Sequence, residues 1–381
     1  MDTKQKPLVV QIIPTLGLGG AEREVARLPG ILNERSPYRV MVCCLWGRGV
    51  FAEELEKAGI EVAVLSERKG SMPVNMWRLL RFLRERKPLI AHSHLLRWSP
   101  LIAKLAGVPV AVMSEHNWTP KPKWYNILYE RMNTYFADKV IAVAEVVRKQ
   151  RIERWHIPAD KVVLLPSSID PHSEIPSVSP AAKRAELGIP DGAPIVSTAG
   201  RLVQQKRQDQ LIDAALEVLK VSPDCRFLIL GDGPLRGSLE AQIHRMGLET
   251  RVHMLGFRSD AREIMQITDV FCLSSDWEGT PMTVMEAMAC RKPVVVTAVG
   301  GCPDVVRDGG TGYVVPPRDP RALAEAILKL LDEPELAKRM GDAGFDHLQA
   351  EYSVEVNLSR LLKLYEDALS EKGLAGHGGN N

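Results

Sequence analysis

The chain has 381 residues, enough for two domains at roughly 150 residues each. Apolar residues make up 45% and charged residues 25%, which excludes a disordered or fibrous chain. No run approaches the roughly 18 apolar residues of a membrane span, and nothing at the amino terminus has the pattern of a cleavable leader.

The net charge of +2 hides an asymmetry: up to Asp170 there are 26 Lys and Arg against 17 Asp and Glu, and beyond it 23 against 30. A first half at +9 and a second at −7 imply an anionic partner for the first. No zinc-finger spacing and no strand platform of interleaved aromatics appears, so the expected partner is an acidic membrane surface or a phosphorylated substrate, not nucleic acid. The six cysteines form no CxxC pair and sit mostly in apolar runs, where they read as small buried hydrophobes of a reducing cytoplasm; no metal site is expected.

In chain order, apolar runs at 8–13, 38–45, 60–65, 108–113, 139–144 and 161–166 predict strands separated by helical segments with charged faces. A second series follows at 194–200, 225–231, 251–256, 269–274 and 292–297. Runs this apolar belong to parallel sheets covered on both sides, so the expectation is two doubly wound α/β units. Six prolines between Pro166 and Pro194 mark the connection. The expected divisions are 1–170, 171–352, an amphipathic terminal helix over 353–372 and a disordered tail, 373–381.

Ligands of such sheets bind beyond the carboxyl ends of the strands, and three motifs stand there. The first, GLGGAE (17–22), lets backbone approach an anion at a helix start through Gly19 and Gly20. It fails as a dinucleotide fingerprint because Glu22 occupies the third glycine position. The second, GRLVQQK (200–206), offers Arg201 and Lys206 to a diphosphate. The third runs from Ser274 to Gly301: Glu278 at the mouth, a Gly279-Thr280-Pro281 turn, then a helix carrying Met282, Thr283 and Glu286. Pro281 is expected at the first helical position, with the amides of Thr280, Met282 and Thr283 as an anion nest. Two carboxylates eight residues apart can accept hydrogen bonds from the hydroxyls of a sugar and a ribose.

The segments GGAE (19–22), GRL with Lys206, GDGP (231–234), EGTPMTVMEAMACRKPVV (278–295) with its following GG, and DGGTGYVVPP (308–317) together resemble a retaining GT-B glycosyltransferase of the family-4 type. Ser167 and Ser168 stand where Asn-Gly often follows the proline, Arg291 where glycine is frequent, and Asp304 where glutamate is commoner; none touches the diphosphate positions.

The resemblance implies two Rossmann-like domains facing a deep cleft, with a carboxyl-terminal helix crossing back to the first. The second domain would bind a nucleotide-diphosphate-sugar and the first a glycan or lipid-linked acceptor, without metal or cofactor, the nucleotide-sugar being a substrate. Glu286 would hold the ribose, Arg201 and Lys206 the diphosphate, Glu278 the transferred sugar, and Gly19 and Gly20 the diphosphate from the opposite wall. His116 matches the family histidine that faces the anomeric carbon; His94 and Trp118 are acceptor-side candidates. The alternatives are an epimerase or hydrolase of nucleotide-sugars on the same fold, or transfer to a soluble sugar-phosphate or small molecule.

Finally, residues 68–87 hold seven Lys and Arg, with either Trp77, Leu80 and Leu83 or Leu79, Phe82 and Leu83 at helical spacing, and six of seven tryptophans precede Asp170. This predicts a helix that lies on an anionic membrane, and a cytoplasmic protein peripheral to the inner face of the plasma membrane.

Overall fold

In the computed structural model, residues 6–17, 20–116, 124–172 and 179–374 are described. Gly19, Trp118 and residues 375–381 of the expected tail lie outside them. The chain forms two compact units, Met1–Ser168 with Glu355–Asn381, and Ile169–Val354.

In the first unit, β1 (Leu8–Ile13), β2 (Arg39–Cys44), β3 (Val62–Val64), β4 (Ile90–His94), β5 (Val110–Glu115), β6 (Lys139–Ala142) and β7 (Val162–Leu164) form one parallel sheet in the order 3-2-1-4-5-6-7. The connecting helices are α1 (Gly20–Arg35), α2 (Ala52–Lys57), α3 (Met72–Arg86), α4 (Ser99–Leu105), α5 (Trp124–Tyr135) and α6 (Glu145–Lys149). In the second unit, β8 (Ile195–Ala199), β9 (Arg226–Leu230), β10 (Val252–Gly256), β11 (Val270–Leu273), β12 (Val294–Thr297) and β13 (Gly312–Val315) are ordered 10-9-8-11-12-13. Its helices are α7 (Pro180–Glu186), α8 (Gln208–Val221), α9 (Arg236–Arg245), α10 (Ala261–Ile267), α11 (Met282–Ala289), α12 (Cys302–Val305), α13 (Pro320–Asp332) and α14 (Pro334–Tyr352). Both sheets are doubly wound, and each reverses its strand order once: at β1/β4 and at β8/β11.

Two strands were not among the expected runs. β4 reads IAHSH, too polar for an apolar-run criterion, yet all five residues are buried. β13 reads GYVV, and Gly312 is required there because a Cβ would lie 2.3 Å from the Val294 carbonyl oxygen.

The last helix, α15 (Val354–Ser370), buries Leu358, Leu361, Leu364, Tyr365, Ala368 and Leu369 against α1 and the sheet of the first unit. At about 25 cal/mol per Å² of apolar surface, such a stripe is worth several kcal/mol, which ties the carboxyl end to the first unit. On the opposite face α3 buries Leu79, Phe82 and Leu83 and leaves Trp77 exposed, so the second of the two expected stripes is the packed one.

Candidate functional site

Each expected site residue of the second unit stands at the carboxyl end of β8 or β11, where the strand order reverses. β8 ends at Ala199; Gly200 and Arg201 then lead into a short 3₁₀ turn, Gln204–Lys206. β11 ends at Leu273, and its loop is stitched to that turn. The Asp276 amide donates to the Gln205 carbonyl at 2.8 Å, Gln205 Nε2 donates to the Trp277 carbonyl at 2.8 Å, and Ser274 Oγ donates to the Arg207 carbonyl at 2.8 Å.

This stitching brings Lys206 and Glu278 together. Lys206 Nζ donates to Glu278 Oε1 at 2.6 Å, and Ser275 Oγ donates to the same oxygen at 2.5 Å, with the carboxylate side chain only 6% exposed. Arg201 stands beside the pair in sequence, exposed and with no ion-pair partner among the described residues. A second cluster was missed in the sequence: Asp276 is held by Arg318 and Arg207, and its carboxyl is pushed below the usual carboxylate range, first by Arg318 and then by Arg207. The only sequence signal for it was the acid pair in Asp276-Trp277-Glu278.

Two glycines explain why the chain can come this close. Gly300 has φ +56°, and a Cβ there would sit 2.0 Å from the Glu278 carbonyl oxygen. Gly231 has φ +130°, and its Cβ would sit 2.0 Å from the Gly200 carbonyl oxygen. Both belong to the loops that back the Lys206–Glu278 pair, so a side chain at either would push the site apart.

The helix after Glu278 starts one residue later than expected. Pro281, at φ −80° and ψ 78°, precedes α11 instead of opening it, because its preceding turn is closed by the Met282 amide donating to the Thr280 carbonyl at 3.0 Å. The Met282 amide is therefore spent inside the turn and is removed from the expected anion nest with Thr280 and Thr283. Glu286 is half-buried on α11, at its fifth residue.

In the first unit, His94 ends β4 and His116 follows β5, and the structure joins them: His94 Nδ1 and His116 Nε2 are 3.1 Å apart. Burial pushes both imidazoles below their ordinary value, His116 to about 4. They are neutral at physiological pH, able to donate or accept one hydrogen bond on each nitrogen. Glu115, the last residue of β5, is tied instead to the buried Arg151, whose guanidinium lies 3.5 Å over the Trp155 ring. Gly20 opens α1, after β1 and at the β1/β4 reversal. Among the described residues no group of three or more His, Cys, Asp or Glu is placed to hold a metal ion.

Two doubly wound, Rossmann-like units, one with a cation–carboxylate site at its strand reversal, are the components of a GT-B α/β fold. Residues 180–347 match the family of glycosyl transferases group 1 and residues 18–173 match glycosyltransferase family 4. The alpha-D-kanosaminyltransferase of Streptomyces kanamyceticus is 31% identical over 287 residues, covering 70% of this chain and 72% of that protein. The UDP-Gal:alpha-D-GlcNAc-diphosphoundecaprenol alpha-1,3-galactosyltransferase of Escherichia coli is 27% identical over 271 residues, covering 68% and 70%. The crystal structure of Anabaena HepE in complex with UDP-glucose superposes with a TM-score of 0.83 at 23% identity, covering 94% of this chain and 99% of that one. The chain belongs to the family-4, group 1 glycosyltransferases, and its activity is glycosyl transfer from a nucleotide-sugar donor.

Proposed function

We propose that the chain moves a sugar from a nucleoside-diphosphate sugar to a hydroxyl of a lipid-linked glycan, with retention of anomeric configuration and without metal. The observation that carries this is the Lys206–Glu278 pair at the β8/β11 reversal, with Arg201 exposed on the same loop. In this reading the two cations neutralise the diphosphate, Glu278 accepts from hydroxyls of the transferred sugar, Glu286 accepts from the ribose, and Gly279 to Thr283 form the turn against the donor. The bond between the anomeric carbon and the diphosphate breaks as the acceptor oxygen bonds to the same face, and the acceptor proton passes to the departing phosphate oxygen. Fixed cations stabilise the charge that develops there. In the same reading His116 faces the anomeric carbon, His94 and Trp118 belong to the acceptor side, and Gly19 and Gly20 meet the diphosphate.

The lipid-linked acceptor is favoured by an independent observation. The neighbouring helices α3, α4 and α5 expose Met72, Val74, Trp77 and Leu105, and then a whole aromatic face of α5. On α5, Trp124, Tyr125, Leu128, Tyr129, Met132 and Tyr135 are exposed while Asn133 and Thr134 are buried. At 3.6 residues per turn the exposed six fall within about 140°, so the helix is amphipathic with its apolar side outward. Tryptophan and tyrosine suit the headgroup level of a bilayer, and the basic surplus of this half suits its anionic face. The galactosyltransferase of Escherichia coli is named for a diphosphoundecaprenol-linked acceptor, a lipid of this kind. In this reading the protein works at the inner face of the plasma membrane.

The donor is tested by thermal shift with UDP, GDP, ADP and their common sugars, on wild type and on Glu286→Ala. One nucleotide should stabilise the wild type by RT ln(1 + [L]/Kd), and the variant should lose that gain. No shift with any nucleotide overturns the donor site. The membrane reading predicts co-sedimentation with phosphatidylglycerol liposomes at about 50 mM salt, weakening as salt screens the surface. Protein that stays in the supernatant under those conditions removes it.

A further inference from the structure

Buried polar side chains on the sheet face under α15 form one continuous hydrogen-bond chain. Gln11 (β1), His92 and His94 (β4), Ser114 (β5) and Tyr365 (α15) are all buried, and the chain ends on the partly exposed His116. They share a face because β1, β4 and β5 are neighbours in register, with Gln11 opposite His92 and His94 opposite Ser114.

The bonds give the chain a direction. Gln11 Nε2 donates to Tyr365 Oη at 3.2 Å, so the other amide atom, Oε1, must accept. Its partner is His94 Nε2 at 2.5 Å, which must then carry the proton. Burial keeps the three imidazoles neutral, His92 at about 3 and His116 at about 4, and a neutral ring has a single N–H. His94 Nδ1 is therefore bare and accepts from His116 Nε2–H at 3.1 Å. His116 is left with a bare Nδ1, and no described residue donates to it. On the other limb Tyr365 Oη, already accepting from Gln11, donates to His92 Nδ1 at 2.7 Å, and His92 Nε2–H donates to Ser114 Oγ at 2.7 Å.

We propose that Gln11 and Tyr365 are positioning residues for the transfer reaction: through His94 they hold His116 in the Nε2–H tautomer, so that its Nδ1 is an acceptor for a sugar hydroxyl. This rests on the reading of His116 as a residue that meets substrate. It gives α15 a task beyond covering the core, since the tyrosine that anchors the chain is carried on the segment that returns to the first unit. A core that needed only to be filled would be served by apolar residues without the cost of satisfying six polar groups. The second ring nitrogen of a histidine is set by the bond the first one makes, and that is what the chain controls.

The test uses the full-length protein labelled with ¹⁵N-histidine and two-bond ¹H–¹⁵N correlation at neutral pH, which reads the tautomer of each ring. Wild-type His116 is expected as Nε2–H alone. Gln11→Met removes the acceptor for His94 and should release His116 into a mixture with Nδ1–H. Tyr365→Phe, which removes one oxygen, frees the Gln11 amide to turn over and should shift the ratio the same way. With the nucleotide-sugar selected by thermal shift, kcat should fall roughly 10- to 100-fold in Gln11→Met while KM for the donor changes less. Thermal unfolding of each variant checks that it folds, and Tyr365→Phe serves where Gln11→Met does not. His116 found as Nδ1–H in the wild type, or unmoved in both variants, overturns the proposal. So does a shifted tautomer with kcat unchanged. In that case His116→Ala separates the causes: loss of transfer keeps His116 in the reaction and rejects only the positioning, whereas full activity rejects the reading of His116 as well.

Discussion

The two units share one topology and differ in how their strand reversals are furnished. In the second, the groups are charged and paired: Lys206 with Glu278, and Asp276 with Arg207 and Arg318. In the first they are neutral and joined in series, from Ser114 through His92, Tyr365, Gln11 and His94 to His116. The surfaces differ too, with twelve large apolar side chains exposed on described residues of the first unit and two, Val221 and Phe257, on the second. A site for a diphosphate needs fixed charge and a polar exterior. A site for a hydroxyl acceptor works with hydrogen-bond direction, and a lipid-borne acceptor calls for an apolar exterior around it.

The strongest way to break this contrast is to remove charge from the second unit. In Lys206→Met, Glu278 keeps Ser275 alone among the described residues for its buried carboxylate, and in the proposed reading the diphosphate loses a cation. Transfer should fall by about 10²- to 10³-fold. Stability of that unit should fall by roughly 3 kcal/mol, because an unpaired buried charge is left behind. The double variant Lys206→Met/Glu278→Leu should recover most of the stability in urea unfolding and none of the activity. Activity retained in Lys206→Met would mean that the pair is a structural tie and that Arg201 alone meets the diphosphate.

How much of this was legible follows from the same contrast. Charged motifs at the ends of apolar runs announce themselves, so Arg201, Lys206, Glu278 and Glu286 stood out in the sequence. The neutral chain did not, since β4 reads as a polar stretch and Gln11 looks like one polar residue in an apolar strand. Only the pairing of β1 with β4 shows that His92 and His94 lie under α15, and only Tyr365, more than 270 residues further on, closes the chain. The inverted face of α5 was hidden for a related reason: periodicity locates an apolar stripe but does not say which way it faces. The turn before α11 was misjudged by one residue because proline is at home both before and at a first helical position.

Acid sharpens the comparison next. Three histidines of the first unit have folded-state values below their ordinary 6.5, His92 about 3 and His116 about 4, by burial first; neighbouring histidines lower His92 and His94 further, whereas Glu115 pulls His116 the other way. The unfolded chain therefore binds more protons in this range. The stability the histidines lend is complete above pH 6.5 and is lost as pH falls toward 4, at about 1.4 kcal/mol per pH unit for each ring that must charge. In the second unit His253 and His347 are lowered by burial too, but less strongly, and the other depressed groups include the carboxylates of Asp260, held down first by Arg258, and Asp276, held down first by Arg318. Those carboxylates stabilise above the ordinary carboxylate value and fade only below it. The first unit should thus unfold at higher pH than the second. Tryptophan fluorescence reads it selectively, because six of the seven tryptophans precede Asp170 and Trp277 alone belongs to the second unit. Both units unfolding together near pH 3 would remove the neutral chain as a source of acid sensitivity.

The smallest effect is expected at the end of the first unit, and it has the opposite sign. Glu24 on α1 is buried beside Ser167 and Ser168, and burial raises its carboxyl from 4.5 to about 7 against the opposing pull of Arg27. Arg27 also donates to the Ser168 carbonyl, so one turn of α1 grips the last two residues before Ile169 from both sides. A raised value means that the folded state binds the proton more tightly than the unfolded one. The contribution of Glu24 is therefore present below pH 4.5 and is lost as pH rises through 7. Glu24→Gln keeps the group neutral throughout. It should leave stability almost unchanged at pH 5 and raise it by about 1–2 kcal/mol at pH 8, read as the midpoint of urea unfolding followed by tryptophan fluorescence. A variant less stable than the wild type at pH 8 would mean that the ionised carboxylate is held by Arg27 strongly enough to outweigh its burial, making the contact an ion pair instead of a protonated latch.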